Sequence, residues 1–224
     1  MSTGFFGKVH THGDFVQRDL PRDFVTPWDA WLQESLAVSR ERLGEQWLAR
    51  YLVAPIWRFA LTGGICGPQA WLGLLMPSVD RVGRYFPLTL ATALGGRSAM
   101  AAFFEADAWF RQAAELLVWA LEDDFDLEAF HRRVQALAPP PTRHAAALEE
   151  TATLRLWGCD DPGAYRALLP GLVERAYEGA TAWGAQWADQ PECHLLLCRG
   201  LPPARTFIHF LDTPGDQAPW TPLH

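Results

Sequence analysis

The chain has 224 residues, of which 49% are hydrophobic, and carries a formal net charge of −7. This length allows one domain with a full hydrophobic core, and the acidic excess argues against nucleic acid as the main partner, because phosphate binding needs a basic face. No window reaches the ~18 uninterrupted apolar residues of a membrane span, and the N-terminus lacks the pattern of a signal peptide, so we expect a cytoplasmic protein.

The first half of the chain contains five short segments with the apolar or alternating pattern of β-strands. These segments are 4–9, 14–16, 56–61, 71–76 and 86–94. After the second of them, Thr26 is the predicted N-cap of a helix, with Pro27 at its first position, and Gly44 ends or kinks this helix. A shorter helical stretch follows before the next strand.

The second half combines helical patterns with two further strand patterns, at 181–187 and 194–198. Helical spacing is found at 98–121, 126–137, 144–156 and 204–211. Asp126 is the predicted N-cap of the second of these helices. Strands separated by paired helices predict an α/β class, as a three-layer α/β/α sandwich with a mixed sheet covered by helices on both faces. We expect a single domain over 1–224, with Pro139–Pro141 as a turn between subdomains.

A charged connection joins two apolar strand patterns and contains Asp80, Arg81 and Arg84. Charges in such a place persist when they are paired, so we expect Asp80 to lie between the two arginines, with Gly83 allowing the turn. In this interpretation the connection is a structural cluster of ion pairs.

The alternative interpretation of the same connection is a docking surface. Its candidate partner-contact residues are Asp80, Arg81 and Arg84, with Trp28 and Trp57 as aromatic candidates. Arginine and tryptophan are the side chains that most often dominate the binding energy of an interface. For each candidate, core packing or internal ion pairing remains the competing explanation.

His10, His12 and Asp14 form the sharpest enzymatic candidate. Side chains two apart on a strand point to the same side, so these three residues would share a metal ion in a metal-dependent hydrolase. The remaining histidines lack HxxxH or HxxE spacing to complete such a site. We therefore predict neither a metal nor another cofactor, and expect Asp14 to cap a turn or pair with an arginine.

Several motifs together resemble the TagF family of type VI secretion-associated proteins. They are GFFGK at 4–8, GDFV at 13–16, PWDAWL at 27–32, APIWRF at 54–59 and the segment 76–90. The resemblance is best over about 4–95. It implies a cytoplasmic, non-enzymatic protein of α/β/α architecture that represses type VI secretion after translation by binding a forkhead-associated scaffold protein. A structural accessory of the secretion apparatus and the metal-dependent hydrolase are the alternatives.

Overall fold

The computed structural model describes residues 3–140, 169–176, 179–186 and 193–211. Within these ranges seven strands form one sheet, in the spatial order β2-β1-β5-β4-β3-β6-β7. The strands are β1 (Thr3–Gly7), β2 (Val16–Arg18), β3 (Trp57–Leu61), β4 (Trp71–Met76), β5 (Leu88–Ala93), β6 (Ala180–Gln186) and β7 (Cys193–Arg199). The α-helices are α1 (Arg22–Leu43), α2 (Trp47–Val53), α3 (Ala99–Glu105), α4 (Asp107–Trp119), α5 (Leu127–Gln135) and α6 (Leu169–Ala176). The 3-10 helices within these ranges are η1 (Gly44–Gln46) and η2 (Ala204–Phe210).

The predicted fold class, a three-layer α/β/α sandwich with a mixed sheet, is wrong. All the strand pairings in this sheet are antiparallel, so it is not a mixed sheet. The helices differ from the prediction as well, since the single helix predicted over 98–121 is two helices that meet at Ala106. The chain forms a mixed α/β fold built on an antiparallel sheet.

The start of α1 also differs from the prediction. The helix begins at Arg22, so Thr26 is not its N-cap and Pro27 lies inside the helix. The prediction placed Pro27 in the first turn because proline lacks the N–H that an interior helical position would use for a hydrogen bond. The predicted end at Gly44 is confirmed, as is Asp126 as N-cap of α5, where its side chain accepts the Ala129 N–H over 2.6 Å.

The seven predicted strands are confirmed, including β6 and β7 in the second half, with ends that differ from the prediction by at most two residues. The predicted helix over 144–156 lies outside the described residues. Of the predicted turn at Pro139–Pro141, the last residue also lies outside them. None of the helices in the described part of the chain is both long enough and apolar enough to cross a membrane.

The side chains of β4 belong to two different hydrophobic clusters, because successive residues of a strand face opposite sides of the sheet. Leu72, Leu74 and Met76 join the cluster that includes α3, α4 and α5. Trp71 and Leu75 join the aromatic cluster that includes α1 and η2. The sheet is therefore buried on both faces around β4, which explains why this strand is an uninterrupted apolar run.

Gly73 provides the space that the aromatic cluster needs at the centre of the sheet. It lies opposite Phe59 on β3, and an added Cβ would overlap the Phe59 ring and lie 2.5 Å from the Leu90 carbonyl oxygen. We expect Gly73→Ala to lower the free energy of unfolding by about 2 kcal/mol through overpacking, as measured by denaturant unfolding. Gly13→Ala is the control, expected within about 0.5 kcal/mol, because its Cβ would meet nothing closer than an Arg81 nitrogen at 3.9 Å. Equal stability of the two variants would contradict this explanation.

Candidate functional site

Two connections of the sheet meet at one end of the molecule. Residues 8–15 join β1 to β2, and residues 77–84 follow β4 on the way to β5. They lie side by side because β1 and β5 are antiparallel neighbours, which places the end of β1 beside the start of β5. The Arg81 amide N–H donates to the His12 carbonyl oxygen over 3.0 Å. We call residues 8–15 and 77–84 the double loop.

The carboxylate of Asp80 organises the double loop from inside. One oxygen, Oδ1, accepts the amide N–H groups of Val82 and Arg84 over 3.0 and 2.8 Å. The other, Oδ2, accepts the Lys8 ammonium over 2.7 Å and the Arg84 Nε–H over 2.6 Å. Burial alone would raise the pKa of Asp80, whose side chain is 0% exposed, but the hydrogen bonds from Lys8 and Arg84 hold this pKa well below its usual value.

The ion-pair interpretation of this connection is confirmed for Arg84 and wrong for Arg81. Lys8, from the other half of the double loop, takes the second place beside Asp80. The Arg81 side chain is exposed and forms no ion pair with any residue in the described part of the chain. Gly83 has φ +84°, the left-handed conformation that the turn requires. Asp80 is therefore a structural residue, whereas both arginines present part of their surface to solvent.

Phe15 is a part of this surface that the sequence prediction missed. The residue is 47% exposed, although its ring stacks on that of Phe6 at 5.4 Å and meets that of Phe86 edge to face at 4.8 Å. The Lys8 ammonium lies 5.1 Å from the ring centroid, which ties Phe15 to the buried ion cluster. The GDFV motif was the available indication, but a sequence pattern does not tell an exposed phenylalanine from a core one.

The two aromatic contact candidates lie in the core. Trp28 is fully buried and donates its indole N–H to the Thr89 hydroxyl over 2.9 Å. Trp57 is also buried and donates to the Phe210 carbonyl oxygen over 3.1 Å. Satisfied indole donors and buried rings are what a core role requires. These two residues therefore offer no surface to a partner, which corrects their assignment as contact residues.

The candidate metal site does not have the predicted geometry. His10, His12 and Asp14 lie in the connection between β1 and β2 and not on a strand. The Nδ1 atom of His10 is 3.1 Å from the Ala120 carbonyl oxygen, and that of His12 is 2.9 Å from the Thr11 hydroxyl. Among the residues that the structure describes, no group of three His, Cys, Asp or Glu side chains is placed to hold a metal ion.

Comparison with models of known protein families finds a match for this chain. The model of the TagF N-terminal domain, described as type VI secretion system-associated, matches residues 4–137. The chain belongs to this family. The TagF match includes both parts of the double loop, and it extends beyond the residues about 4–95 on which the motif resemblance was best.

A solved structure resembles this TagF-family chain over its whole length. The crystal structure of PA0076 from Pseudomonas aeruginosa PAO1 is 38% identical in sequence, with a TM-score of 0.84, and the alignment covers 100% of both chains. A comparison with curated protein sequences gives no match. The alignment with PA0076 also includes the described residues beyond 137, where the family model does not extend.

Proposed function

We propose that this TagF-family protein represses type VI secretion after translation, by binding a forkhead-associated scaffold protein in the cytoplasm. The match of the type VI secretion-associated family over residues 4–137 is the observation that carries the proposal. In this function the protein is not an enzyme and needs no cofactor. Its action is to occupy a surface of the scaffold that assembly of the secretion apparatus requires.

Repression of this kind depends on affinity and concentration. A repressor with a Kd near 1 μM, corresponding to about −8 kcal/mol, keeps most of the scaffold bound once the free repressor exceeds that concentration. Binding by a preformed surface suits this task, because little free energy is then lost in ordering the loops. The double loop, with its buried ion cluster, is such a preformed element.

Co-purification from the native host tests the proposal. We expect the scaffold protein to be retained with this chain at moderate salt and identified by mass spectrometry. We also expect deletion of the gene to raise type VI secretion without raising the amount of scaffold. Recovery of sheath or baseplate proteins without the scaffold would instead favour a structural accessory. Stoichiometric zinc, manganese or iron in untagged protein would contradict the non-enzymatic part of the proposal.

A further inference from the structure

We infer that the exposed face of the double loop is the docking surface for a protein partner that presents carboxylates around an apolar contact. The face consists of Phe15, Arg81, Val82 and Arg84. This inference rests on the proposed function, in which the partner is the scaffold, and it assigns the chain's half of that interface.

Charge at the double loop is opposite in sign to the charge of the chain. The whole chain carries −7, whereas the double loop contains three cationic side chains and two carboxylates. Lys8 and Asp80 offset each other in the buried cluster, which leaves Arg81 and Arg84 against the exposed carboxylate of Asp14. A basic face on an acidic protein is complementary to an acidic surface on its partner. The remaining, acidic surface of the chain would repel the same partner surface, so the partner would bind in one orientation.

Apolar contact area lies beside these charges. Val82, at the tip of the turn, is 64% exposed, and the exposed part of Phe15 is held in place by its two aromatic neighbours. The Arg84 side chain is 57% exposed on one side while its Nε–H is fixed on Asp80. Exposed aromatic and guanidinium groups with an apolar neighbour form the composition that is typical of binding hot spots.

The face is also ordered before any partner binds. Asp80 fixes two amide groups of the turn through Oδ1, and the Gly83 amide N–H donates to the Asp80 carbonyl oxygen over 3.0 Å. The Arg84 guanidinium donates to the Gly13 carbonyl oxygen and joins the two halves of the double loop. A partner would therefore meet a rigid surface and would not have to order these residues, which favours tight binding by a small area.

The test measures the Kd between the full chain and the purified scaffold by titration calorimetry, together with the Tm of each variant. We expect Arg81→Glu to weaken binding about tenfold or more with little change in Tm, because its side chain is exposed and unpaired among the described residues. Val82→Asp is a second variant. It is expected to weaken binding because it adds a negative charge to the face and removes the exposed apolar side chain. Higher ionic strength is expected to weaken wild-type binding more than binding of Arg81→Glu.

Arg111→Glu is the matched control. It makes the same charge change on α4, where the side chain is also exposed, and binding is expected to stay at the wild-type level. If Arg81→Glu and Val82→Asp both bound the scaffold with the Kd of wild type, the docking surface would be wrong, and the proposed function would be unaffected. Equal weakening by Arg81→Glu and Arg111→Glu would also overturn the docking surface, since net charge would then explain the effect. Absence of wild-type binding to the scaffold would overturn the proposed function and the docking surface together.

Discussion

Replacement of Trp28 with alanine is expected to lower the free energy of unfolding by about 4 kcal/mol, the typical loss for a large buried aromatic side chain. Trp28 is fully buried at the centre of the aromatic cluster. Its ring lies 4.7 Å from that of Phe59 and stacks on that of Trp183 at 5.8 Å, measured between centroids. Alanine would leave a cavity between α1 and the sheet and would remove the ring contacts to Phe59 on β3 and Trp183 on β6.

The hydrogen bond of Trp28 allows the stability loss to be divided. Trp28→Phe keeps an aromatic ring but removes the indole N–H that donates to the buried Thr89 hydroxyl, so its loss should fall between those of wild type and Trp28→Ala. Denaturant unfolding measures the free energy of unfolding of wild type, Trp28→Phe and Trp28→Ala, and an unchanged m-value makes the three values comparable. The control is Leu52→Ala, whose side chain is 59% exposed on α2, with an expected change within about 0.5 kcal/mol.

The same experiment separates the two roles considered for Trp28. A core role predicts lost stability and unchanged affinity per folded molecule for the scaffold. Unchanged stability with weakened binding would contradict the buried position and return Trp28 to the contact residues. The sequence left both roles open for Trp28, because periodicity does not tell whether an aromatic side chain on a helix meets the sheet or a partner.

The strands were predictable from the sequence, but their directions were not. Residues 56–61 and 71–76 have apolar patterns bounded by glycine and proline, which locate β3 and β4. Such patterns depend on which side chains are buried and carry no information on strand direction. The alternation of strands and helices led to the prediction of a mixed sheet, whereas even β6, which follows the helices of the second half, pairs with β3 in the antiparallel sense. Both directions satisfy the same burial pattern, so only the hydrogen-bond register decides between them.

The ion cluster was predictable in its local half. Asp80 and Arg84 are four residues apart around Gly83, so a turn brings them together, and their pairing follows from the sequence. Lys8 is separated from Asp80 by 72 positions, and the contact depends on β1 lying beside β5. Without that neighbour, Arg81 was the nearest available cation, and this explains the wrong assignment.

Loss of the Asp80 carboxylate should have the largest effect within the double loop. Asp80→Asn leaves the buried Lys8 ammonium without its counter-charge and presents an amide where two carboxylate oxygens accepted four hydrogen bonds. Removal of one partner from a buried pair is strongly destabilising, so we expect the Tm at neutral pH to fall by about 10 °C. Asp123→Asn, at an exposed carboxylate, is the control and should leave the Tm unchanged.

The pH dependence of the Tm identifies the ionised carboxylate as the source of this difference. The pKa of Asp80 is lower in the folded protein than the ordinary value of 3.8, so the unfolded state binds the proton more tightly and acid favours unfolding. The stabilisation is complete above that ordinary value and is lost as the pH falls toward the folded-state pKa. The Tm values of wild type and Asp80→Asn should therefore converge in strong acid. A constant difference at all pH values would contradict this explanation, because the loss would then come from the amide group that replaces a hydrogen-bond acceptor and not from the ionised carboxylate.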